Sequence, residues 1–285
     1  MCPGDLPMNG PGRMVGKRSV VRLLALAFCL LTAACGAAQP SRQAVATLRI
    51  VGSTSAEPSL HDLAQAFQAS RPDVLVELRL GGSAIGVGEL QAGRADLAAV
   101  SWKTEAEKAP SGFQAIPIGH DAIAIVVHPA NRVAGLTLLQ VRALFRGETL
   151  EWRALGGAAE EPLIVSREDG SGTRSAFESL VMAADRVTFN AVVMPNSRAV
   201  VDYVASHRPA IGYVSMAALT DQVRTLPVEE TAPSAANVRS GRYHLARVLY
   251  LYAPAPAPPT TQAFLDFALS PTGQALVAKY HAALR

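Results

Sequence analysis

The sequence predicts an α/β fold with mainly parallel sheets. Three observations carry this. Short apolar runs alternate with stretches whose apolar residues recur at helical spacing. Three of the runs end in turns of one chemical kind, rich in Ser, Thr and Gly, each leading into a helical stretch. The composition, 49% hydrophobic and 17% charged over 285 residues, suits one large or two medium packed domains. In open α/β sheets ligands bind beyond the carboxyl ends of the strands, so these turns are where a site is expected.

Residues 1–34 read as a leader. Lys17, Arg18 and Arg22 form a charged region, and Leu23 to Leu31 is an apolar stretch too short to span a bilayer. The run Leu31-Thr32-Ala33-Ala34-Cys35-Gly36 has the form of a bacterial lipoprotein cleavage site, with Cys35 as the acylated first residue. Thr32 departs from the usual aliphatic residue there, and ordinary signal-peptide cleavage is the alternative. Nothing before Met14 has a signal-like pattern, so translation is expected to begin at Met14. The three cysteines are Cys2, Cys29 and Cys35, so processing leaves only Cys35, and an exported domain of this size needs no disulfide. Residues 35–46 read as a tether. The expectation is an exported, lipid-anchored protein facing the periplasm or cell exterior.

Charge excludes a nucleic-acid surface. Of 26 basic and 23 acidic residues, four basic and one acidic precede Cys35, leaving 22 of each in the remainder. With no basic excess there, an anion would have to be held by local dipoles.

Thr47 to Val51 is the first strand. It runs into Gly52-Ser53-Thr54-Ser55 and a helix whose apolar face is Leu60, Leu63, Ala64 and Phe67, with Pro58 in its first turn. Val74 to Leu80 alternates as a strand, ends in Gly81-Gly82-Ser83 and leads into a short helix to Gln91. Asp96 to Val100 is a strand ending at Ser101-Trp102. Ala122 to Val127 is a long apolar strand suited to crossing between lobes. Thr137 is an N-cap for a helix carrying Leu138, Val141, Leu144 and Phe145, stopped near Gly147. Pro162 to Val165 is a buried strand, followed by Ser166-Arg167-Glu168-Asp169-Gly170-Ser171-Gly172-Thr173-Arg174-Ser175 and a helix with Phe177, Leu180 and Val181. Ser197 to Ser206 is a helix, Ala210 to Val214 and Val223 to Pro227 are strands, and Leu245 to Tyr252 is a strand returning to the first lobe. Pro254 to Pro259 is a loop. Helices around Thr261 to Leu269 and Pro271 to His281 close the chain.

The turn from Ser166 to Ser175 carries the most chemistry. Gly170 and Gly172 let the backbone bend tightly and approach a ligand. Ser171 and Thr173 offer hydroxyls and capping, the first helical amides favour an anion, and Arg167 adds a planar fork suited to a tetrahedral oxyanion. Rival chemistries fit less well. A hydrolase would need a nucleophile and a base, yet there is no G-x-S-x-G elbow. His61, His120, His128, His207, His244 and His281 have no metal-ligand spacing. His120 beside Asp121 is the nearest thing to a base. A dinucleotide site would need a third glycine where Ser175 stands, and Trp102 and Tyr213 read as packing residues.

In this order the loops resemble the phosphate-binding proteins of bacterial ABC transporters, the PstS-like family. Gly52-Ser53-Thr54-Ser55, Gly81-Gly82-Ser83, the block from Ser166 to Ser175, Ala210-Ile211-Gly212-Tyr213-Val214 and Leu269-Ser270-Pro271-Thr272-Gly273-Gln274 carry the resemblance, which runs from about Leu48 nearly to the end. It implies a two-lobed periplasmic-binding-protein architecture (type II, Venus-flytrap), with lobe I at 47–124 plus 249–285 and lobe II at 125–248. It implies phosphate clamped in the cleft by Thr54, Ser55, Ser83, Arg167, Asp169, Ser171, Gly172 and Thr173, without cofactor, metal or catalysis. It implies delivery by a monomer to an ABC permease, with membrane contact through the lipid anchor only. Some members place an Asp acceptor where Ser101 stands here. Ser101 both accepts and donates, so it reads the proton of phosphate less strictly. Sulfate, molybdate or tungstate are the alternative ligands, and a secreted phosphate-ester hydrolase the more distant one.

Overall fold

The computed structural model describes Met1, residues 45–102 and residues 109–284. Apart from Met1, the leader lies outside the described residues, as do Cys35 and most of the tether. Among the described residues no helix is long and apolar enough to cross a membrane.

Residues from Val45 onward form one compact unit, a mixed α/β fold. Its strands are β1 (Ala46–Gly52), β2 (Val74–Leu80), β3 (Leu97–Val100), β4 (Phe113–Val127), β5 (Leu163–Arg167), β6 (Val192–Met194), β7 (Ala210–Ser215), β8 (Arg224–Leu226) and β9 (Ala246–Pro254). Its helices are α1 (Glu57–Ser70), α2 (Ser83–Gln91), α3 (Leu138–Arg146), α4 (Gly172–Phe177), α5 (Ser197–Ser206), α6 (Ala235–Arg239), α7 (Pro259–Leu269) and α8 (Pro271–Val277). One continuous sheet runs β2-β1-β3-β9-β4-β7-β5-β6, with β8 also paired to β4.

The expected parallel pairing holds only at the two ends. β1 pairs in parallel with β2 and β3, and β5 with β6 and β7. The middle is antiparallel: β9 pairs with β3 and β4, and β4 with β7 and β8. The reason is that β4 and β9 are long strands running in opposite directions through both ends of the sheet. β4 begins nine residues earlier than the apolar run Ala122 to Val127 suggests. Pro117 and Gly119 disguise the early part, and the strand accommodates them with a register shift between these two residues.

Each end of the sheet has helices on it and its own core. In the first, Leu48, Ile50, Leu60, Leu63, Phe67, Leu249, Phe264 and Val277 cluster. In the second, Ile123, Val141, Leu144, Phe145, Phe177, Tyr213 and Leu245 cluster. Sequence explains the helices that pack there. α3 opens with a capping box between Thr137 and Gln140 and closes at Gly147, whose φ of 78° favours a residue without a Cβ. α1 buries Leu60, Leu63, Ala64 and Phe67 along one stripe. Along β4, Ile118 belongs to the first core and Ala122 to the second. Leu245, just before β9, belongs to the second, and Leu249 within β9 to the first. The residues between these positions sit where both strands pass from one core to the other.

Phe264 is fully buried and meets the ring of Phe67 edge-on at 5.2 Å. Phe264→Ala is expected to lower unfolding free energy by about 3–5 kcal/mol, read by urea titration.

Candidate functional site

Three strand ends of the first half bring Ser and Gly together. After β1, Ser53 turns the chain, its hydroxyl accepting from the Ser55 amide at 3.2 Å. Its own amide donates to the Ala99 carbonyl on β3 at 2.8 Å. After β2, the Gly82 amide donates to the Gly52 carbonyl at 2.8 Å, which sets Ser83 at the start of α2. After β3, the Ser101 amide donates to Ser83 Oγ at 3.2 Å. Ser101 Oγ lies 2.7 Å from Ser53 Oγ and 3.5 Å from Ser83 Oγ. All four serines, Ser53, Ser55, Ser83 and Ser101, are buried.

The second half supplies the loop between β5 and α4. Ser171 caps α4, its Oγ accepting from the Arg174 amide at 3.3 Å. Gly172 then packs against the first half so closely that an added Cβ would run into Ser83 Oγ and come within 2.6 Å of Ser101 Oγ. Thr173 Oγ1 lies 2.8 Å from Ser55 Oγ, and the Ala84 amide donates to the Gly170 carbonyl at 3.3 Å. Ser55, Ser83, Ser101, Gly172 and Thr173, separated by up to 118 positions, therefore meet in one buried cluster, with Ser171 beside it. Thr54 is half-buried and lines an adjoining cleft of about 500 Å³ with Ser55, Asn196, Ser197 and Ser215.

The two remaining predicted residues stand apart. Asp169 points outward, its side chain 93% exposed and paired with Arg174 at 2.6 Å. It neither joins the cluster nor holds Arg167. Arg167 is buried but turned to its own half. Its Nε and Nη2 donate to the Glu168 carboxylate at 3.1 and 2.9 Å, and further donors reach the carbonyls of Met194 and Pro195 and the Ser197 hydroxyl.

The guanidinium that does meet the hydroxyls is Arg247, on β9. Its Nη2 donates to Ser55 Oγ at 2.8 Å and to Thr173 Oγ1 at 3.0 Å, and its Nη1 donates to the Ser101 carbonyl at 2.8 Å. Arg247 stands directly opposite Asp121 in the β4–β9 register, and Asp121 Oδ2 accepts from Nη2 at 2.7 Å and Nε at 3.1 Å. Both side chains are fully buried. Asp121 Oδ1 accepts from the Ser215 hydroxyl at 2.8 Å, and the buried ring of His281 lies 3.4 Å away. Burial works to raise the Asp121 carboxyl, but Arg247 and then His281 overcome it and hold the group below its ordinary value. Asp121 is thus committed to Arg247 and Ser215, rather than to His120 as a hydrolase would require.

Sequence reasoning missed Arg247, Asp121, Ser53 and Ser215. A signal for the first two existed: each is a charged residue in a strand of otherwise apolar character, and such residues are buried only when paired. Tyr213 packs as expected, stacked on Phe177 at 4.0 Å with its hydroxyl 2.8 Å from Ser166 Oγ. Among the described residues no group of three or more His, Cys, Asp or Glu gathers to hold a metal.

A model of the PBP superfamily domain matches residues 37–272. The phosphate-binding protein PstS of Pseudomonas aeruginosa is 30% identical over 261 residues, covering 81% of each chain. The chain belongs to the PstS-like family. Another PstS-like relative, the phosphate-binding protein PstS of Bacillus subtilis, is 28% identical over 271 residues, 89% of each chain. In three dimensions the PstS-like chain is similar to the crystal structure of a putative phosphate ABC transporter substrate-binding protein with bound phosphate from Clostridium perfringens. That match has 32% identity and a TM-score of 0.79, and covers 82% of this chain and 98% of the other. The type II periplasmic-binding-protein architecture expected from the loops is the one observed.

The lowered Asp121 carboxyl makes a pH prediction. A group depressed in the folded state stabilises fully above its unfolded value, about 3.9, and this stability is lost as pH falls through the lowered one. Urea unfolding is expected to be level between about pH 7 and pH 5 in this respect, with a loss below about pH 4 that is reduced when Asp121 and Arg247 are replaced together by Leu and Met.

Proposed function

We propose that the protein is a receptor that binds inorganic phosphate in the cleft between its two halves and passes it to an ABC permease. One observation carries this reading: hydroxyls from three remote Ser/Thr/Gly loops converge in a buried cluster that the two halves build jointly. The names of its relatives support phosphate as the ion. The binding residues are Thr54, Ser55, Ser83, Ser101, Ser171, Gly172 and Thr173, with Arg167 buried behind their loop in the second half. The lobes are 47–124 plus 249–285 and 125–248.

The mechanism is closure without chemistry. Hydroxyls and first-turn amides replace the water around the ion, and contacts from both lobes exist together only when the lobes are closed. A ligand that binds this state better shifts the population toward it, and the permease reads the closed form. No bond is broken, so the receptor is not a catalyst, and it acts as a monomer. The expected acylation of Cys35 would keep it at the membrane surface, outside the cytoplasm.

Other tetrahedral oxyanions are the second reading, favoured by the absence of a carboxylate from the cluster among the described residues. Asp169 faces solvent and Asp121 is engaged. The proton of phosphate then finds neutral acceptors such as the Ser101 hydroxyl instead of a carboxylate, whereas sulfate asks only for donors.

Isothermal titration calorimetry with phosphate, sulfate, molybdate and tungstate tests the function. Phosphate is expected to bind, and Gly172→Ala to weaken it strongly because the added methyl holds Ser83 and Ser101 off. Heat from none of the four anions would remove the reading. Ser101→Asp is expected to raise the preference for phosphate over sulfate, and competition titrations showing an unchanged ratio would remove Ser101 as the group that reads the proton.

A further inference from the structure

Nothing in the sequence motifs points to Arg247, yet its donors are the ones that reach the hydroxyl cluster. It is fully buried, and it touches a hydroxyl from each half: Ser55 from the first and Thr173 from the second. It also fixes the Ser101 carbonyl, and with it the turn that presents the Ser101 hydroxyl. Arg167, the basic residue of the most recognisable loop, has its donors turned to Glu168 and to carbonyls of its own half.

The donor arithmetic is informative. A guanidinium carries two hydrogens on each Nη. Nη2 has three acceptors within 3.0 Å, the Asp121 carboxylate and the two hydroxyls, so two hydrogens are shared among three partners. Ser55 Oγ and Thr173 Oγ1 also bond each other. In that bond one hydroxyl spends its proton and the other keeps its own. A tetrahedral anion entering here meets an arginine held on one side by Asp121, with two exchangeable hydroxyls among its other contacts.

We infer that Arg247 is an anion-binding residue of this site, a guanidinium held in the floor of the cleft by Asp121, whose Nη hydrogens pass from the Ser55 and Thr173 hydroxyls to an oxygen of the bound tetrahedral anion. The freed hydroxyls then donate to neighbouring oxygens of the same ion. Asp121 is the positioning residue: it lies opposite Arg247 across the β4–β9 pair, and its second oxygen is tied to Ser215. Because Arg247 sits where both crossing strands leave one core for the other, it can serve loops of both lobes from a fixed place. The inference rests on the anion-receptor reading above.

The test uses the full chain and inorganic phosphate. Removing only one of two buried charges leaves the other uncompensated and endangers folding, while removing both together is tolerated far better. The decisive variant is therefore the double one, Asp121→Leu with Arg247→Met, beside Arg247→Lys. The double variant is expected to melt near the wild type yet bind phosphate roughly 10- to 100-fold more weakly, the loss typical of a charge-assisted hydrogen bond. Arg247→Lys is expected to fall between the two. A folded double variant with wild-type affinity would overturn the inference and leave Arg247 a structural residue. Should the double variant not fold, a crystal structure of the wild type with phosphate decides. An anion oxygen within hydrogen-bond distance of an Arg247 Nη supports the inference, and an anion beyond contact overturns it. Wild-type protein that binds neither phosphate nor sulfate removes the receptor reading itself, an outcome distinct from wild-type binding that the double variant retains.

Discussion

The arrangement depends on one buried ion pair. Asp121 and Arg247 face each other on adjacent antiparallel strands, fully enclosed. Enclosing two charges costs several kcal/mol per ion before their attraction and hydrogen bonds offset it. The fold offsets it with bonds in every direction: Ser215 on one carboxylate oxygen, two guanidinium nitrogens on the other, and Ser55, Thr173 and the Ser101 carbonyl around the arginine. A hydrophobic pair in the same place would fill the space between the strands, but it would leave Ser55, Thr173 and the Ser101 carbonyl without the donor they share.

Its position explains the division of labour. The two cores are anchored independently, one around α1, α7 and α8 and the other around α3 and α4. The loops project from strand ends of both. What they have in common is the stretch of β4 and β9 between the cores. Among the described residues the basic side chains at the cluster and its cleft are matched by carboxylates: Arg247 by Asp121, Arg167 by Glu168, Arg174 by Asp169 and Glu178, and Arg198 by Asp202. The site is consequently close to neutral, and hydroxyl and amide dipoles supply most of its complementarity to an anion. Such a cluster is short-ranged and works best where water is excluded, which is why the proposed mechanism includes closure.

Much of the fold was legible because periodicity and capping are local. Leu60, Leu63, Ala64 and Phe67 announced α1, and Thr137 announced the start of α3. The Ser/Thr/Gly turns were legible because each sits between a strand and a helix. The antiparallel middle of the sheet was not, since it depends on the long path of β4, whose first half carries Pro117 and Gly119. β6 and α6, three and five residues long, are set by tertiary contacts rather than by pattern. Within the site, Ser55, Ser83, Ser101, Gly172 and Thr173 meet as their loops suggested. Arg247 was hidden by sequence distance: it lies 126 residues from Asp121 and 192 from Ser55, and only strand register joins them. The family resemblance implied Asp169, but its side chain is on the solvent side of the turn, whereas Glu168 next to it reaches Arg167.

The central claim is that the two halves share one anion and come together on it. Double electron–electron resonance between spin labels on cysteines introduced at Ile85 and Phe189, exposed positions in the first and second halves, reads this directly. With the chain begun at residue 36, the introduced thiols are its only ones, because Cys2, Cys29 and Cys35 all precede it. The account predicts that phosphate shortens and narrows the distance distribution. The same distribution with and without saturating phosphate would contradict it.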